Sequence, residues 1–469
     1  MPTAHSSQSR LILFLVDTAA ICCAWFVYYY LRVESGLFTT ITLPEFTIPM
    51  LVVAGYWIVL FWIFGLYRPW YAQSRFDEFT LLLKTVTFGV LVLFFLIFID
   101  DTLTQDPAAS RLKILIYWAF LLVFVGTGRL ALRSVRRRML IAGIGLHATV
   151  IIGPDAKSDD LHRTLRQFPA LGHRFIGFIT SDGARERSEA AALPCLGTLD
   201  ELERIIDEHG VDDLIITLDS TEHEQLLDVI GRASAFKVRI KIRPDLYDIV
   251  SGQARTNQLY GVPLIEVTPQ LMAPWEEVAK RAFDIIVSTL ALVIGAPLFL
   301  IIAIAQKIGS PGPIFYRQER VGKDGQVFQI VKFRTMYVDA ESRTGPTWAV
   351  QDDPRVTPLG RFLRKSHLDE LPQFFNVLEG DMSIVGPRPE RPFFVEQFIR
   401  EIPLYRRRLN VRPGITGWAQ VRHTYDQTIE DVRTKLSYDL FYIENMSLRM
   451  DMKIMISTLY TVVAGKGHA

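Results

Sequence analysis

Four long apolar runs dominate the first third of the chain and restrict what it can fold into. Each holds about twenty residues, which as an α-helix span the roughly 30 Å hydrocarbon core of a bilayer. The first run is too long, and lacks the small-residue exit, to be a cleaved signal peptide. The runs therefore predict a multi-pass α-helical membrane domain over residues 1–138, with spans at 11–31, 47–67, 79–99 and 112–132.

Basic residues set the expected orientation of these helices. The fourth run is followed by the segment RLALRSVRRRML, whereas the loop before it, at 100–106, is acidic. Because cytoplasmic loops carry the excess of Lys and Arg, the N-terminus and everything after Arg138 are predicted in the cytoplasm. Two charges, Asp17 and Lys84, fall inside the spans. A functional intramembrane charge is one interpretation, but we expect pairing within the bundle or snorkelling to the surface.

Charge and cysteine content restrict the function. The chain of 469 residues holds 51 Lys and Arg against 50 Asp and Glu, a net charge of +1. A nucleic-acid partner held by bulk charge is therefore not expected, although a local basic patch stays open. The three cysteines, Cys22, Cys23 and Cys195, offer neither zinc spacing nor a disulfide framework. This cysteine usage is typical of soluble parts in a reducing compartment.

Residues 139–270 have a different pattern. Short β-rich runs such as ATVIIG, FIGFIT and DDLIITL alternate with helical stretches, which predicts a Rossmann-like α/β domain with a parallel, doubly wound sheet. A dinucleotide site needs G-x-G-x-x-G after the first strand. Here the turn from Gly153 reads GPDAKS, which lacks two of the three glycines and would turn Asp155 towards a pyrophosphate. We expect a docking, dimerising or regulatory domain, and a homodimer is left open.

A fifth apolar run, residues 285–305, follows a Lys-Arg pair at 280–281 and precedes Lys307. Its length would allow a span. However, Pro297 interrupts its middle, and proline removes a helix hydrogen bond and bends the chain. Both flanks are basic, so neither end favours the outside. We therefore expect a re-entrant helix over 280–306 that enters one leaflet and returns, with a fifth full span as the alternative.

Four motifs follow in order in the last third of the chain. They read GPIFYRQERVGKDGQVFQIVKFRTM, SHLDELPQFFNVLEGDMSIVGPRPE, RPGITGWAQV and YDLFYIENMSLRMDMKIM. Together they resemble the bacterial sugar transferase family, polyprenyl-phosphate phosphoglycosyl transferases anchored by a re-entrant helix. The resemblance implies a mainly α catalytic domain at 278–469. The preceding spans and the degenerate nucleotide fold are similar to the long members, the undecaprenyl-phosphate hexose-1-phosphate transferases.

Asp369 and Glu370 are adjacent carboxylates that follow a basic stretch. The segment LDELPQFFNVL is typical of a helix start, where the helix dipole favours acidic residues, and alone the pair would be interpreted that way. Phosphoryl transfer, however, needs an oxygen nucleophile, a divalent ion for the diphosphate and cations for developing charge. An aspartate can be that nucleophile, and a neighbouring carboxylate can help to bind Mg²⁺.

The resemblance assigns roles to these residues. Asp369 is expected to attack the β-phosphorus of a nucleotide sugar, releasing nucleoside monophosphate, before the lipid phosphate takes the sugar phosphate from the enzyme. Glu370 is the second carboxylate of the dyad, and both are expected near Mg²⁺. Any single basic residue around them could instead be a solvated charge. The cations expected to bind substrate phosphates are Lys332, Arg334, Arg364, Arg388, Arg412 and Arg320.

A further stretch has two open interpretations. Phe393, Phe394, Phe398 and Ile399 recur near helical spacing and precede three arginines at 406–408. They fit either an amphipathic helix at an anionic lipid surface or a charge run on a soluble face. The C-terminal stretch LRMDMKIMISTLYTVV is similarly open between a core helix and a membrane-interface helix.

The function that the resemblance implies is transfer of hexose-1-phosphate from a UDP-hexose, with glucose or galactose favoured, to undecaprenyl phosphate, with release of UMP. The implied partners are the UDP-sugar, undecaprenyl phosphate and membrane lipids. The expected place is a bacterial inner membrane, with the catalytic domain on its cytoplasmic face. That reaction opens exopolysaccharide, capsule or O-antigen synthesis. Two alternatives stay open: a one-step membrane glycosyltransferase that releases UDP, and a non-catalytic membrane scaffold or sensor.

Overall fold

The computed structural model of the chain divides into two compact units. Residues 1–222 and 238–268 form the first unit, and residues 223–237 and 269–469 form the second. The acidic side chains of the loop at 100–106 lie outside the described residues. The structure describes residues 4–34, 45–67, 75–101, 107–181, 193–218, 222–236, 238–245, 264–267, 272–338, 355–422 and 428–463.

Four apolar helices open the first unit, as predicted. By length and composition, parts of three of them could cross a membrane, and so could the helix Pro274–Gly309 of the second unit. The second helix has 17 residues, because the chain turns at Gly65 with φ 77°; it therefore ends before the predicted boundary at residue 67. The helices are α1 (Ala4–Val33), α2 (Thr47–Ile63), α3 (Arg75–Asp101) and α4 (Pro107–Ile141).

A cluster of opposite charges lies buried among α1, α3 and α4. The Arg129 guanidinium donates to Asp17 Oδ1 at 3.0 Å and Oδ2 at 2.6 Å, and to Glu78 Oε1 at 3.0 Å. Arg133 forms an ion pair with the same Glu78. Asp17 is fully buried, so the prediction that it pairs within the bundle is confirmed. Lys84, the other charge within the spans, is exposed.

The rest of the first unit is an α/β domain whose six-stranded sheet has the order β3-β2-β1-β4-β5-β6. The predicted parallel pairing is confirmed for the first five strands. Strand β6 runs antiparallel at the edge, an arrangement that otherwise parallel sheets often adopt. The elements are β1 (His147–Ile152), α5 (Asp155–Arg166), β2 (His173–Thr180), β3 (Cys195–Thr198), α6 (Leu202–His209), β4 (Asp213–Ile216), β5 (Arg239–Ile242) and β6 (Ile265–Glu266).

The turn after β1, where a dinucleotide would approach, packs tightly against the chain that follows β4. Gly153 has a φ of +146°, and a Cβ at this position would collide with Thr217 Oγ1. Ser158 Oγ donates to Gly153 O at 3.4 Å. Glycine is therefore required here by both backbone conformation and space. The side chain of Asp155 lies outside the described residues.

The second unit is mainly helical. Its largest core cluster packs Tyr442, Ile443 and Ile454 against Val377 and Met382. Strands β7 and β8 form an antiparallel hairpin, and β9 and β10 pair in parallel. The elements are α7 (His223–Ala233), α8 (Pro274–Gly309), β7 (Phe315–Val321), β8 (Val327–Phe333), α9 (Pro358–Lys365), α10 (Gln373–Glu379), β9 (Ser383–Val385), α11 (Pro392–Glu401), β10 (Gly414–Thr416), α12 (Trp418–Arg422), α13 (Ile429–Glu444) and α14 (Leu448–Val463).

The basic pair that precedes the apolar part of α8 has partners inside the second unit. Lys280 Nζ donates to Asp451 Oδ2 at 2.6 Å. Arg281 donates from Nη1 to Val377 O at 2.6 Å and from Nη2 to Leu378 O at 3.0 Å. These carbonyls belong to the last turn of α10, where a cation is favoured by the helix dipole. Through these hydrogen bonds, Lys280 and Arg281 attach the start of α8 to the rest of the second unit.

The other end of α8 is attached to the same unit. Gln306 Nε2 donates to Arg334 O at 2.7 Å, and the Phe299 ring lies 5.1 Å from the Phe333 ring. Between the two attached ends the helix exposes large apolar side chains, and Ile294 is 75% exposed. The apolar middle of α8 is thus the part of the helix that the protein leaves uncovered.

Candidate active site

The chain reverses sharply just before the predicted dyad. Helix α9 begins at Pro358, and the hydroxyl of the preceding Thr357 caps its first turn. The helix ends at Lys365. His367 then adopts a left-handed φ of 56°, which few residues other than glycine adopt. This reversal places the 3₁₀ turn Leu368–Glu370 directly after the basic end of α9.

The dyad occupies this 3₁₀ turn and not the first turn of an α-helix, so the predicted helix start is corrected. Glu370 N donates to His367 O at 3.3 Å, and Leu371 N donates to Leu368 O at 3.3 Å, which is the 3₁₀ spacing. Helix α10 begins only at Gln373. Pro372 has no N–H group and cannot extend a helix ladder back to residue 368, so the dyad and α10 stay separate.

The two carboxylates of the dyad have different surroundings. Glu370 Oε1 accepts from Lys332 Nζ at 2.7 Å and from Arg388 Nη2 at 2.8 Å. The Asp369 side chain belongs to a residue that is 8% exposed, and it accepts no hydrogen bond from any residue in the described part of the chain. One carboxylate therefore binds two cations, while its neighbour is buried and has no direct partner among the described residues.

The pKa values follow this asymmetry. Burial, together with the adjacent Glu370 charge, raises the pKa of the Asp369 carboxyl above its ordinary value, against the opposing pull of nearby cations. Burial would also raise the pKa of Glu370, but Arg388 and Lys332 hold that pKa well below its usual range. Burial lowers the pKa of Lys332 although Glu370 opposes the shift. Such a separation of two carboxyl pKa values is typical of active sites.

Three of the six predicted cations surround the dyad. Lys332 and Arg388 bind Glu370 directly, and the Arg388 side chain is 40% exposed, which leaves it accessible to a ligand. Arg364 lies close enough to lower the pKa of Asp369, and its Nε donates to Thr335 Oγ1 at 3.0 Å. Thr335 lies in the same KFRTM motif but was not predicted as a site residue, because its uncharged side chain gives no local sign of a role.

The other three predicted cations lie elsewhere or have other partners. Arg334 donates from Nη1 to Pro311 O at 2.8 Å and from Nη2 to Ser310 O at 2.9 Å, just after the end of α8. Arg320 donates to Pro389 O at 3.0 Å. Arg412 is exposed. Arg334 and Arg320 therefore hold backbone carbonyls, and the structure does not bring their guanidinium groups onto the dyad carboxylates.

Two of the three arginines at 406–408 are neither membrane-facing nor solvated. Arg407 and Arg408 are 8% and 4% exposed. Arg407 pairs with Glu444 at 2.7 Å, and Arg408 pairs with Asp439 at 2.6 Å. Both interpretations of these two residues were wrong because their acidic partners lie a helix away in α13, where no local pattern could reveal them.

A Mg²⁺ ion would find oxygen ligands at the dyad. The Asp369 carboxylate and Glu370 Oε2 accept no hydrogen bond in the described part of the chain, and hard oxygen ligands suit this ion. No group of three or more His, Cys, Asp or Glu that could hold a metal occurs among the described residues. Since Mg²⁺ usually keeps waters and substrate phosphates as ligands, two carboxylates are sufficient for the ion.

Comparison with known proteins identifies the class of this protein. It is a transferase, and its helices are apolar enough to suit a membrane. The family model for bacterial sugar transferase matches residues 275–465, and a model described as a CoA-binding domain matches residues 62–244. Together with the relatives described next, these matches show that the chain belongs to the bacterial sugar transferase family.

Several relatives extend over most of the chain. The UDP-glucose:undecaprenyl-phosphate glucose-1-phosphate transferase of Xanthomonas campestris pv. campestris is 31% identical, covering 98% of this chain and 95% of that protein. Its namesake in Escherichia coli (strain K12) is 32% identical over 87% of this chain and 88% of that protein. An Aeromonas hydrophila UDP-N-acetylgalactosamine-undecaprenyl-phosphate N-acetylgalactosaminephosphotransferase is 44% identical over 47% of this chain and 51% of that protein.

Proposed function

We propose that the protein transfers hexose-1-phosphate from a UDP-hexose to undecaprenyl phosphate, with release of UMP, through a covalent intermediate on Asp369. The observation that carries this proposal is the asymmetry of the dyad. Asp369 is buried and accepts no hydrogen bond in the described part of the chain, whereas Glu370 holds two cations beside it. A carboxylate without a partner, next to fixed positive charge, is suited to attack a phosphorus atom.

The proposed reaction has two displacements. In the first, an Asp369 carboxylate oxygen forms a bond to the β-phosphorus, and the bond from that phosphorus to the bridging oxygen breaks, so that UMP leaves with the electron pair. In the second, a phosphate oxygen of undecaprenyl phosphate attacks the same phosphorus. The acyl-phosphate bond breaks, Asp369 returns to its carboxylate form, and the product is a lipid diphosphate that carries the hexose.

The cations serve the charge that develops on the phosphoryl oxygens. Lys332 and Arg388 are held in place by Glu370 at 2.7 Å and 2.8 Å, so they need little reorganisation when the substrate binds. Arg388 is the more exposed of the two and can make bidentate phosphate contacts. A Mg²⁺ held by Asp369 and Glu370 would neutralise diphosphate charge. Arg364 lies close enough to Asp369 to lower the pKa of that carboxyl.

The names of the relatives support a choice of sugar. Three relatives that match over more than four fifths of the chain are named glucose-1-phosphate transferases, whereas the N-acetylgalactosamine enzyme matches about half of it. We propose UDP-glucose as the first donor to test, with UDP-galactose second. The product would open exopolysaccharide, capsule or O-antigen synthesis.

We also propose that α8 is a re-entrant anchor and that the catalytic unit lies on the cytoplasmic face of a bacterial inner membrane. Support comes from the attachments at both ends of α8, through Lys280 to Asp451 and through Gln306 to Arg334. A helix that crossed the bilayer would place its ends roughly 30 Å apart on opposite faces, where one folded unit could not bind both. Cysteine labelling at the C-terminus of intact cells tests this, since external labelling would contradict it.

The released nucleotide separates the candidate functions. Purified full-length protein in lipid nanodiscs is given UDP-glucose, with and without undecaprenyl phosphate, and the nucleotides are separated by chromatography. We expect sustained UMP release with the lipid and, without it, a burst of at most about one UMP per enzyme. Release of UDP would instead support a one-step glycosyltransferase. No release with UDP-glucose, UDP-galactose or their N-acetylated forms would support a scaffold or sensor.

A further inference from the structure

The segment that contains Arg388 is held in its conformation by hydrogen-bond donors from other parts of the chain. Pro387 and Pro389 have no N–H group, so the stretch GPRP can donate few backbone hydrogen bonds. Instead, four successive carbonyls accept hydrogen bonds from other segments. The pairs are Gly414 N to Pro387 O at 2.9 Å, Arg408 Nη2 to Arg388 O at 2.6 Å, Arg320 Nη1 to Pro389 O at 3.0 Å and Val321 N to Glu390 O at 2.9 Å.

Arg408 is the donor to the Arg388 carbonyl, and two further hydrogen bonds fix its own side chain. Its Nε donates to Asp439 Oδ2 at 2.6 Å, and its Nη1 donates to Tyr405 OH at 2.7 Å. The Arg408 and Asp439 side chains are 4% and 2% exposed. Three directed bonds from one planar group fix its orientation, a geometry that a lysine ammonium cannot reproduce.

We propose that Arg408 is a positioning residue for the transfer reaction. It fixes the backbone of Arg388, so that Arg388 Nη2 stays 2.8 Å from Glu370 Oε1. If Arg408 were lost, the Arg388 carbonyl would lose its partner and the side chain would no longer be held against the dyad. The inference rests on the proposed function, since it assigns Arg388 to the phosphate side of that reaction.

The test compares two neighbouring buried arginines. Arg408→Lys keeps a positive charge near Asp439 but removes the fork that reaches the Arg388 carbonyl. Arg407→Lys is the matched control, because Arg407 is also buried and pairs with Glu444. Full-length variants in nanodiscs are compared for kcat and KM of UMP release and for melting temperature. We expect Arg408→Lys to lower kcat by about ten- to a hundredfold, with a smaller change in KM, and Arg407→Lys to lower it less than about threefold.

A double-mutant cycle separates positioning from general stability. In an Arg388→Ala background the positioned side chain is gone, so Arg408→Lys should cause no further loss in single-turnover adduct formation, whereas two independent losses would multiply. Equal losses in both backgrounds would overturn the inference. If Arg408→Lys does not fold, Tyr405→Phe, which removes only one acceptor of Arg408, is used in the same cycle and must show the same non-additivity. Absence of UMP release by the unmodified protein would instead refute the proposed function.

Discussion

Two clusters of buried charges in this protein differ in how their carboxylates are paired with cations. Among the apolar helices, Asp17 and Glu78 meet Arg129 and Arg133, and each carboxylate binds a guanidinium directly. In the second unit, Lys332 and Arg388 both bind Glu370. There the neighbouring Asp369 is also buried and accepts no hydrogen bond in the described part of the chain.

The difference teaches how a buried carboxylate can be interpreted. A carboxylate whose charge is matched, such as Asp17, holds helices together, and both of its oxygens already accept hydrogen bonds from Arg129. A carboxylate left without a partner costs stability, and the fold retains it only where the surroundings impose it. The left-handed His367 and the helix-breaking Pro372 impose the position of Asp369. Substitutions in the two clusters should therefore affect different quantities.

The largest effect is expected at the unpartnered carboxylate. Asp369→Asn removes the nucleophilic oxygen and should lower turnover by at least about 10³-fold, with no sugar-phosphate adduct in intact-protein mass spectrometry. Because Asp369 binds no group directly among the described residues, the melting temperature should stay the same or rise. Asp324→Asn, an exposed change that asparagine tolerates at φ 57°, is the control. An adduct on the Asn variant would mean that the nucleophile is another residue.

A smaller loss is expected at the clamped carboxylate. Glu370→Gln weakens the hold on Lys332 and Arg388 and should lower turnover by about 10²- to 10³-fold, while the adduct on Asp369 still forms slowly. The Glu370 charge raises the pKa of Asp369, so its removal lowers that pKa. The acidic limb of the pH–rate profile should therefore move to lower pH. A shift to higher pH, or complete loss of the adduct, would contradict the assigned roles.

The elements of the fold were predictable where the signal is local. Runs of about twenty apolar residues specify helices by length and composition alone, and alternating strand and helix patterns specify a parallel sheet. The early end of α2 and the antiparallel β6 were not predicted. The turn at Gly65 is a single glycine beside an unbroken apolar run. Strand β6 has only two residues, Ile265 and Glu266, too few to show a period.

The site was predictable only in part, because its pairs are distant in sequence. The motifs made Asp369, Glu370 and Arg388 candidates, which stay predictions. No local pattern indicates that Arg408 holds the Arg388 carbonyl or that Arg334 holds the carbonyls after α8. In sequence, a buried structural arginine and a phosphate-binding arginine look the same. The structure adds that the guanidinium groups of Arg334 and Arg320 already bind backbone oxygens.

A moderate effect is expected from helix α7, which belongs to the catalytic unit although it lies early in the sequence. A Cβ on Gly231 would lie 2.6 Å from Leu404 N and 2.7 Å from Pro403 C, so the helix packs directly on the segment that leads to Arg408. Gly231→Val should lower turnover by about two- to tenfold. Gly309→Val, with open space at its Cβ position, should not.

A truncation extends this test. Deleting residues 1 to about 270 removes α7 with the membrane helices but keeps the dyad and α8. We expect a membrane-bound protein with weak UMP release, comparable to that of Gly231→Val. If the truncated protein is folded by circular dichroism and releases no UMP at all, the first 270 residues contribute more to the site than the packing of α7.

The smallest effect on turnover is expected in the charge cluster among the apolar helices, where Asp17 pairs with Arg129. Asp17→Asn leaves Arg129 and Arg133 to share the single charge of Glu78, and breaking such a buried pair costs about 3–5 kcal/mol. The protein should therefore melt at a lower temperature in detergent, while UMP release per folded molecule stays within about twofold. Lys84→Gln, at an exposed position on α3, is the control and should change stability by less than about 0.5 kcal/mol. If Asp17→Asn melted like the unmodified protein but lost turnover, the matched intramembrane carboxylate would be functional, and full pairing would no longer distinguish a structural charge from a catalytic one.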